Sequence, residues 1–101
     1  MNFATKQVTF AAALSGAINL GGGAIIAIVF PSTWAGTVLT FQASLDGVNY
    51  YDVYDEADAL VSYTVAASNY TAIPPSKGIA MDLCKIKSDQ AETETITLLI
   101  K

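Results

Sequence analysis

The 101-residue chain has no histidine and no arginine, a single cysteine, three prolines and only 14% charged residues. Each shortage excludes something. Without histidine the commonest general base and metal ligand is missing, so a Ser, Thr or Cys nucleophile would depend on Lys or a carboxylate for activation. An enzyme is therefore not expected, and neither is a cofactor. One cysteine, Cys84, allows no internal disulfide and no cysteine-based zinc site, and beside Lys85 it reads as a small buried hydrophobe. The net charge of −4 and the lack of arginine argue against a phosphate-binding surface and hence against nucleic acid.

Charge is also unevenly placed. No ionisable side chain lies between Lys6 and Asp46. The run from Phe10 to Phe30 is long enough to cross a bilayer, but Ser15, Gly16 and Asn19 break its first half. The Gly21-Gly22-Gly23 triplet sits at its centre and Pro31 ends it, so neither a membrane helix nor a signal peptide is expected. Its second half, Ala24 to Phe30, is short, rich in Ile and bounded by Gly and Pro, which predicts a strand buried on both faces.

Strand signals dominate the rest of the chain. Gln7 to Phe10 alternates and Ala17 to Leu20 is a short apolar piece. Thr37 to Leu45 places Leu39, Phe41, Ala43 and Leu45 on one face and Val38, Thr40, Gln42 and Ser44 on the other. Asp46-Gly47 predicts a tight hairpin back into Val48 to Tyr54, because glycine takes the required positive φ without steric cost. Leu60 to Val65, Tyr70 to Ile73, Ile79 to Lys87 and Thr93 to Ile100 complete the set. Between them lie an acidic loop at 55–58, a turn at 66–69, a Pro74-Pro75 loop and a polar loop at 88–92. In Ile79 to Lys87 the inward face is ambiguous, since Met81 and Leu83 compete with Cys84 and Ile86. About eight or nine short strands in one domain, 1–101, predict an all-β antiparallel sandwich of jelly-roll type.

Two groups of side chains invite a functional reading. Trp34, Tyr50, Tyr51 and Tyr54 could anchor a protein interface or stack on sugar rings, with Tyr50 and Tyr54 on one side of their strand and Tyr51 on the other. Asp52, Asp55, Glu56 and Asp58 are dense enough to suggest a cation, but their spacing matches no EF-hand loop and no bound metal is expected.

Several segments resemble a family of small proteins encoded among the structural genes of tailed bacteriophages and related prophages. These are Leu14-Ser15-Gly16-Ala17-Ile18-Asn19-Leu20-Gly21-Gly22, Pro31 with Trp34, and Leu39-Thr40-Phe41-Gln42-Ala43-Ser44 with Asp46-Gly47 and Tyr50-Tyr51-Asp52. Lys85-Ile86-Lys87-Ser88 and Thr95-Ile96-Thr97-Leu98 extend the likeness over most of the chain. The resemblance implies a β-sandwich virion component, such as a head decoration or head-fibre-base protein, assembled in the host bacterial cytoplasm and carrying no catalytic residues. It also implies as partners the major capsid protein or another virion protein. Ser44-Leu45-Asp46-Gly47 before an aromatic is similar to sequences in sugar-binding jelly rolls, and a carbohydrate-binding module is the alternative.

A small, charge-poor domain gains stability from symmetric association. A homo-oligomer such as a trimer is therefore expected, with the uncharged N-terminal third supplying an interface on the order of 800 Å² per partner.

Overall fold

β-Branched and aromatic side chains suit a pleated surface buried on one side, and runs of them become the strands of this chain. The computed structural model describes residues 4–21, 23–73 and 83–101. It forms β1 (Ala4–Thr9), β2 (Ile18–Asn19), β3 (Ile25–Val29), β4 (Val38–Ser44), β5 (Tyr51–Asp52), β6 (Ser62–Thr64), β7 (Tyr70–Ala72), β8 (Leu83–Ser88) and β9 (Thr95–Ile100). No helix occurs among the described residues, and none is long and apolar enough to cross a membrane. The Pro74-Pro75 loop, Met81 and the start of the predicted strand at Ile79 lie outside the described residues.

The strands make two antiparallel sheets. The first runs β1-β9-β3-β7; the second runs β2-β8-β4-β5, with β6 also on β4. β5 pairs with Gln42 and Ala43, whereas β6 pairs with Val38, Leu39 and Thr40. Together they act as one interrupted strand along the free edge of β4. Counted so, eight strand positions pass back and forth between two four-stranded layers, which is the arrangement of a jelly roll. The radius of gyration, 12.6 Å, is what one compact domain of this length requires.

The core lies between the sheets. In β4 the alternation read from the sequence sends Leu39 and Phe41 inward, and in β9 it sends Ile96, Leu98 and Ile100 inward. Each such side chain contributes roughly 1.5 to 3 kcal/mol of burial. In β8 the ambiguity resolves in favour of Cys84, Ile86 and Ser88 inside, with Leu83 half-buried on the other face. Two expectations need correction. The run at Ala24–Phe30 is buried on both faces only in part: Ala27 and Ile28, on opposite faces, are both buried, but the register shifts between Ile25 and Ala27 and Val29 faces solvent. Leu45 does not continue the inner face of β4, since the strand ends at Ser44 and Leu45 is fully exposed.

An edge irregularity shows how the N-terminal segment is held. Leu14 pairs with Lys87, yet Ile18 pairs with Cys84, so the register slips by one residue between them. At the slip the Ser15 amide donates to the Ile86 carbonyl at 2.9 Å, and the Ser15 hydroxyl accepts from the Ile86 amide at 2.9 Å. The side chain thus stands in for a ladder carbonyl and leaves no buried N–H orphaned.

The two sheets are joined at one end by a pair of crossovers, β3–β4 and β8–β9. The loop at 88–92, read from the sequence as a polar loop, places Glu92 in the interior at 2% exposure. Its carboxylate accepts from Gly36 N at 2.8 Å, Ala35 N at 3.2 Å and the Ser88 hydroxyl at 2.8 Å. Asp89 accepts from Thr37 N at 2.9 Å, Val38 N at 3.2 Å and the Thr37 hydroxyl at 3.0 Å. Four successive backbone amides, leaving one sheet before joining the other, are thereby satisfied by carboxylates of the opposite crossover. Gly36 is required by this closeness. A Cβ there would collide with the Ser88 hydroxyl and come within 3.0 Å of the Asp89 and Glu92 carboxylates.

Glu92→Gln, which turns an N–H donor toward buried donors, is expected to cost about 2 kcal/mol or more in urea unfolding. Gly36→Ala is expected to be at least as destabilising, and a loss within 0.5 kcal/mol of wild type for either variant would contradict the clamp.

Candidate functional site

The four aromatics singled out from the sequence do not form one platform. Trp34 is 4% exposed and packs edge-on against Phe10, with ring centroids 5.2 Å apart at 78°, and against Phe30 at 5.1 Å. It is a core residue that closes the crossover end of the sandwich. Tyr50 is half-buried, its ring beneath the Lys85 ammonium 4.4 Å from the centroid and its hydroxyl buried without a hydrogen-bond partner. Only Tyr51 and Tyr54, at 68% and 54% exposure, offer ring surface to solvent. The strand expected at Val48–Tyr54 is reduced to Tyr51–Asp52 and a single bridge from Tyr54 to Leu60.

The reason is the turn before it. Asp46-Gly47 does not make a two-residue hairpin: Ala43 pairs with Tyr51, so seven residues, Ser44 to Tyr50, lie between the paired positions. Gly47 has the expected positive φ of 77°, but the loop is built around Asp46 and Ser44. Asp46 Oδ1 accepts from Val48 N at 2.8 Å and Asn49 N at 2.9 Å, while the Ser44 hydroxyl accepts from Gly47 N at 2.9 Å. These donors hold the Asp46 carboxyl down from the ordinary 3.8 to about 2. The Asp89 carboxyl is lowered in the same way, by the Thr37 and Val38 amides. The result is an ordered tip on which Leu45 and Val48 are exposed.

Two of the four acidic residues are likewise occupied. Asp55 Oδ1 accepts from Ala57 N at 2.8 Å and Ala59 N at 3.0 Å, which closes the turn between Tyr54 and Leu60. Asp52 Oδ1 accepts from the Gln42 amide at 3.2 Å. Among the described residues no three His, Cys, Asp or Glu side chains converge as metal ligands. Cys84 is fully buried, and burial pushes its thiol up to about 11 although the Lys6 charge pulls the other way. At neutral pH it is a thiol and a poor nucleophile.

Two surfaces remain. An open groove of about 220 Å³ runs over the second sheet, with Val38 and Leu60 as apolar walls and Thr40, Asp52, Lys87 and Asp89 as polar ones. Asp52 and Asp89 there already accept the hydrogen bonds given above. The other surface is the outward face of the first sheet. The register sets Thr5, Gln7 and Thr9 of β1 beside Leu99, Thr97 and Thr95 of β9. Leu99 and Thr97 in turn lie beside Ala27 and Val29 of β3, and these beside Ala72 and Tyr70 of β7. None of these side chains is charged. Lys6, the one charged residue in these four strands, is on the opposite face, where its ammonium donates to the Asn19 carbonyl at 3.3 Å.

Neither Glu92 nor this face was singled out from the sequence. A lone acid in a polar loop gives no sign of burial, and the face unites strands from both ends of the chain. No known protein family, curated protein or solved structure matches the chain.

Because Trp34 is packed inside, Trp34→Ala is expected to lower stability by about 3 to 5 kcal/mol; an unaltered denaturation midpoint would show the ring to be dispensable to the core. The lowered Asp46 pKa gives a pH signature. Its stabilising contribution is complete above 3.8 and is lost as pH falls toward about 2. Urea titrations at pH 5, 4, 3 and 2 should therefore show the stability gap between wild type and Asp46→Asn narrowing below pH 4, whereas a constant gap would deny the carboxylate that role.

Proposed function

We propose that the chain is a structural protein of a tailed-bacteriophage virion, a capsid decoration or head-fibre-base component that binds the particle as an oligomer. The observation that carries this reading is the uncharged outward face of the first sheet on a rigid two-layer sandwich. Such a face suits association through apolar and backbone-like contacts, and β1, β3, β7 and β9 give it a four-stranded base. The remaining polar groups support the reading by what they already do. Asp46, Asp55, Asp89 and Glu92 accept backbone amides and hold loops, and Cys84 is buried as a thiol. The resemblance of most of the chain to phage structural proteins points the same way, and jelly rolls recur in capsid proteins.

Jelly rolls also recur in lectins, and the exposed rings of Tyr51 and Tyr54 beside the Asp52 end of the groove favour a second reading, a glycan-binding module displayed on the particle. The burial of Trp34 removes the largest ring from that platform.

The two readings separate experimentally. Mass spectrometry of purified particles, together with sedimentation of added protein with particles lacking it, is expected to find the chain bound to capsids. Its absence from particles and failure to sediment with them would overturn the structural reading. Saturable calorimetric binding of a sugar at millimolar concentration, lost in Tyr51→Ala, would instead establish the glycan module.

A further inference from the structure

The acids and lysines of this chain are divided unevenly between the sheets: in the strands of the first sheet Lys6 alone is charged, and it lies on the inner face. Asp52, Lys85 and Lys87 lie in strands of the second sheet, and Asp46, Asp55, Glu56 and Asp58 lie in the loops that join its strands. The first sheet turns outward a surface of Thr5, Gln7, Thr97, Leu99, Val29 and Tyr70. Lys101, beyond the end of β9, stands only at its rim.

We propose that this outward face of the first sheet is the contact through which two copies of the chain associate, face to face about a twofold axis. Like charge selects the geometry. Each copy carries a net charge of −4, so two copies repel wherever acid-bearing surfaces meet. Apposing the first sheets turns the β4–β6 loops and their acids to the far sides of the pair. A second copy also presents the matching chemistry, since an isologous contact brings each uncharged row against another uncharged row.

Desolvation of the face is mild. The Thr9 and Thr95 hydroxyls already bond each other at 2.8 Å, and Val29, Tyr70, Ala72 and the half-buried Leu99 supply apolar area. Two sheets packed this way lie about 10 Å apart with strands roughly 30° from parallel, as inside a sandwich. The size of the patch sets the strength. Four strands about 4.8 Å apart, each with about three outward residues, span on the order of 400 Å² per copy. That is about half of a standard interface, so the pair is weak in solution. It becomes well populated at high protein concentration, or when both copies are held on one surface.

The contact deepens the oligomer in the proposed function and rests on that reading only there, because it can be measured without particles. Sedimentation equilibrium of the full chain from micromolar to millimolar concentration tests it, using wild type, Val29→Lys and Ser62→Lys. Both substitutions change the net charge equally, but Ser62 lies in β6 of the second sheet. Wild type is expected to dimerise and Ser62→Lys to match it within about twofold. Val29→Lys should weaken the dimer at least tenfold, because the substitution enters the contact twice. If Val29→Lys loses its β circular dichroism, Gln7→Lys on the exposed edge strand replaces it with the same expectation. A wild type monomeric up to millimolar concentration, or a folded lysine variant that dimerises like wild type, would overturn the proposal. A monomer that binds particles would end this inference and leave the virion reading standing. A dimer absent from particles would do the reverse.

Discussion

Two carboxylates hold the sandwich closed. Asp89 and Glu92 sit in the crossover from β8 to β9 and accept the backbone amides of Ala35, Gly36, Thr37 and Val38 in the crossover from β3 to β4. Those amides belong to a stretch leaving one sheet for the other, where no ladder can take them. The Gly36 amide is buried and would cost about 1 to 3 kcal/mol if left unpaired, whereas the bonds from Thr37 and Val38 to Asp89 are exposed and contribute less. A buried carboxylate with no donors would cost more, so amides and acids stabilise each other only together. Trp34, the residue before these amides, packs between Phe10 and Phe30, and the Phe10 amide donates to the Glu94 carbonyl at 2.9 Å. The ends of β1, β3, β4, β8 and β9 are thus fixed at one site, and the distance between the layers is set there.

With the layers fixed, the division of charge between them follows from the strand order. β1 and β9 come from opposite ends of the chain, and β3 and β7 complete their sheet; all four are nearly free of charge. The second sheet and its connections carry most of the acids, and these acids hold turns. One side of the domain thus carries most of the charge, and the outward face of the other is uncharged. The function proposed for it needs a surface and a rigid frame, and no reaction centre.

Much of the frame was legible in the sequence. Strict alternation in Thr37–Leu45 and Thr93–Ile100 identified β4 and β9 and their inward residues, because a period of two admits one orientation once one face is apolar. The turn at 66–69 and the acidic turn at 55–58 were legible from composition, and Ser68 and Asp58 there take positive φ. The candidate aromatics were less so. Nothing local distinguishes a tryptophan in a Pro-Ser-Thr-Trp-Ala-Gly turn that points outward from one that folds under two phenylalanines. Asp46-Gly47 misled for a related reason: the dipeptide suits a tight hairpin, but Ser44 and Asp46 satisfy the amides of a wider loop and carry Leu45 out of the strand.

Composition and periodicity alone determined that this is an all-β sandwich, charge-poor and without histidine or arginine, since those properties depend on residue counts and on the alternation of neighbours. The tertiary structure decided which of its apolar and uncharged residues meet. The uncharged N-terminal third divides between core and surface, with Ile18, Ile25, Ile28 and Phe30 inside and Val29 outside. The uncharged surface it helps to make is completed by Thr95, Thr97 and Leu99 from the far end of the chain. Pairing between strands some 90 residues apart is set by how the two layers close, and that closure depends on a buried glutamate whose partners lie 56 and 57 residues away.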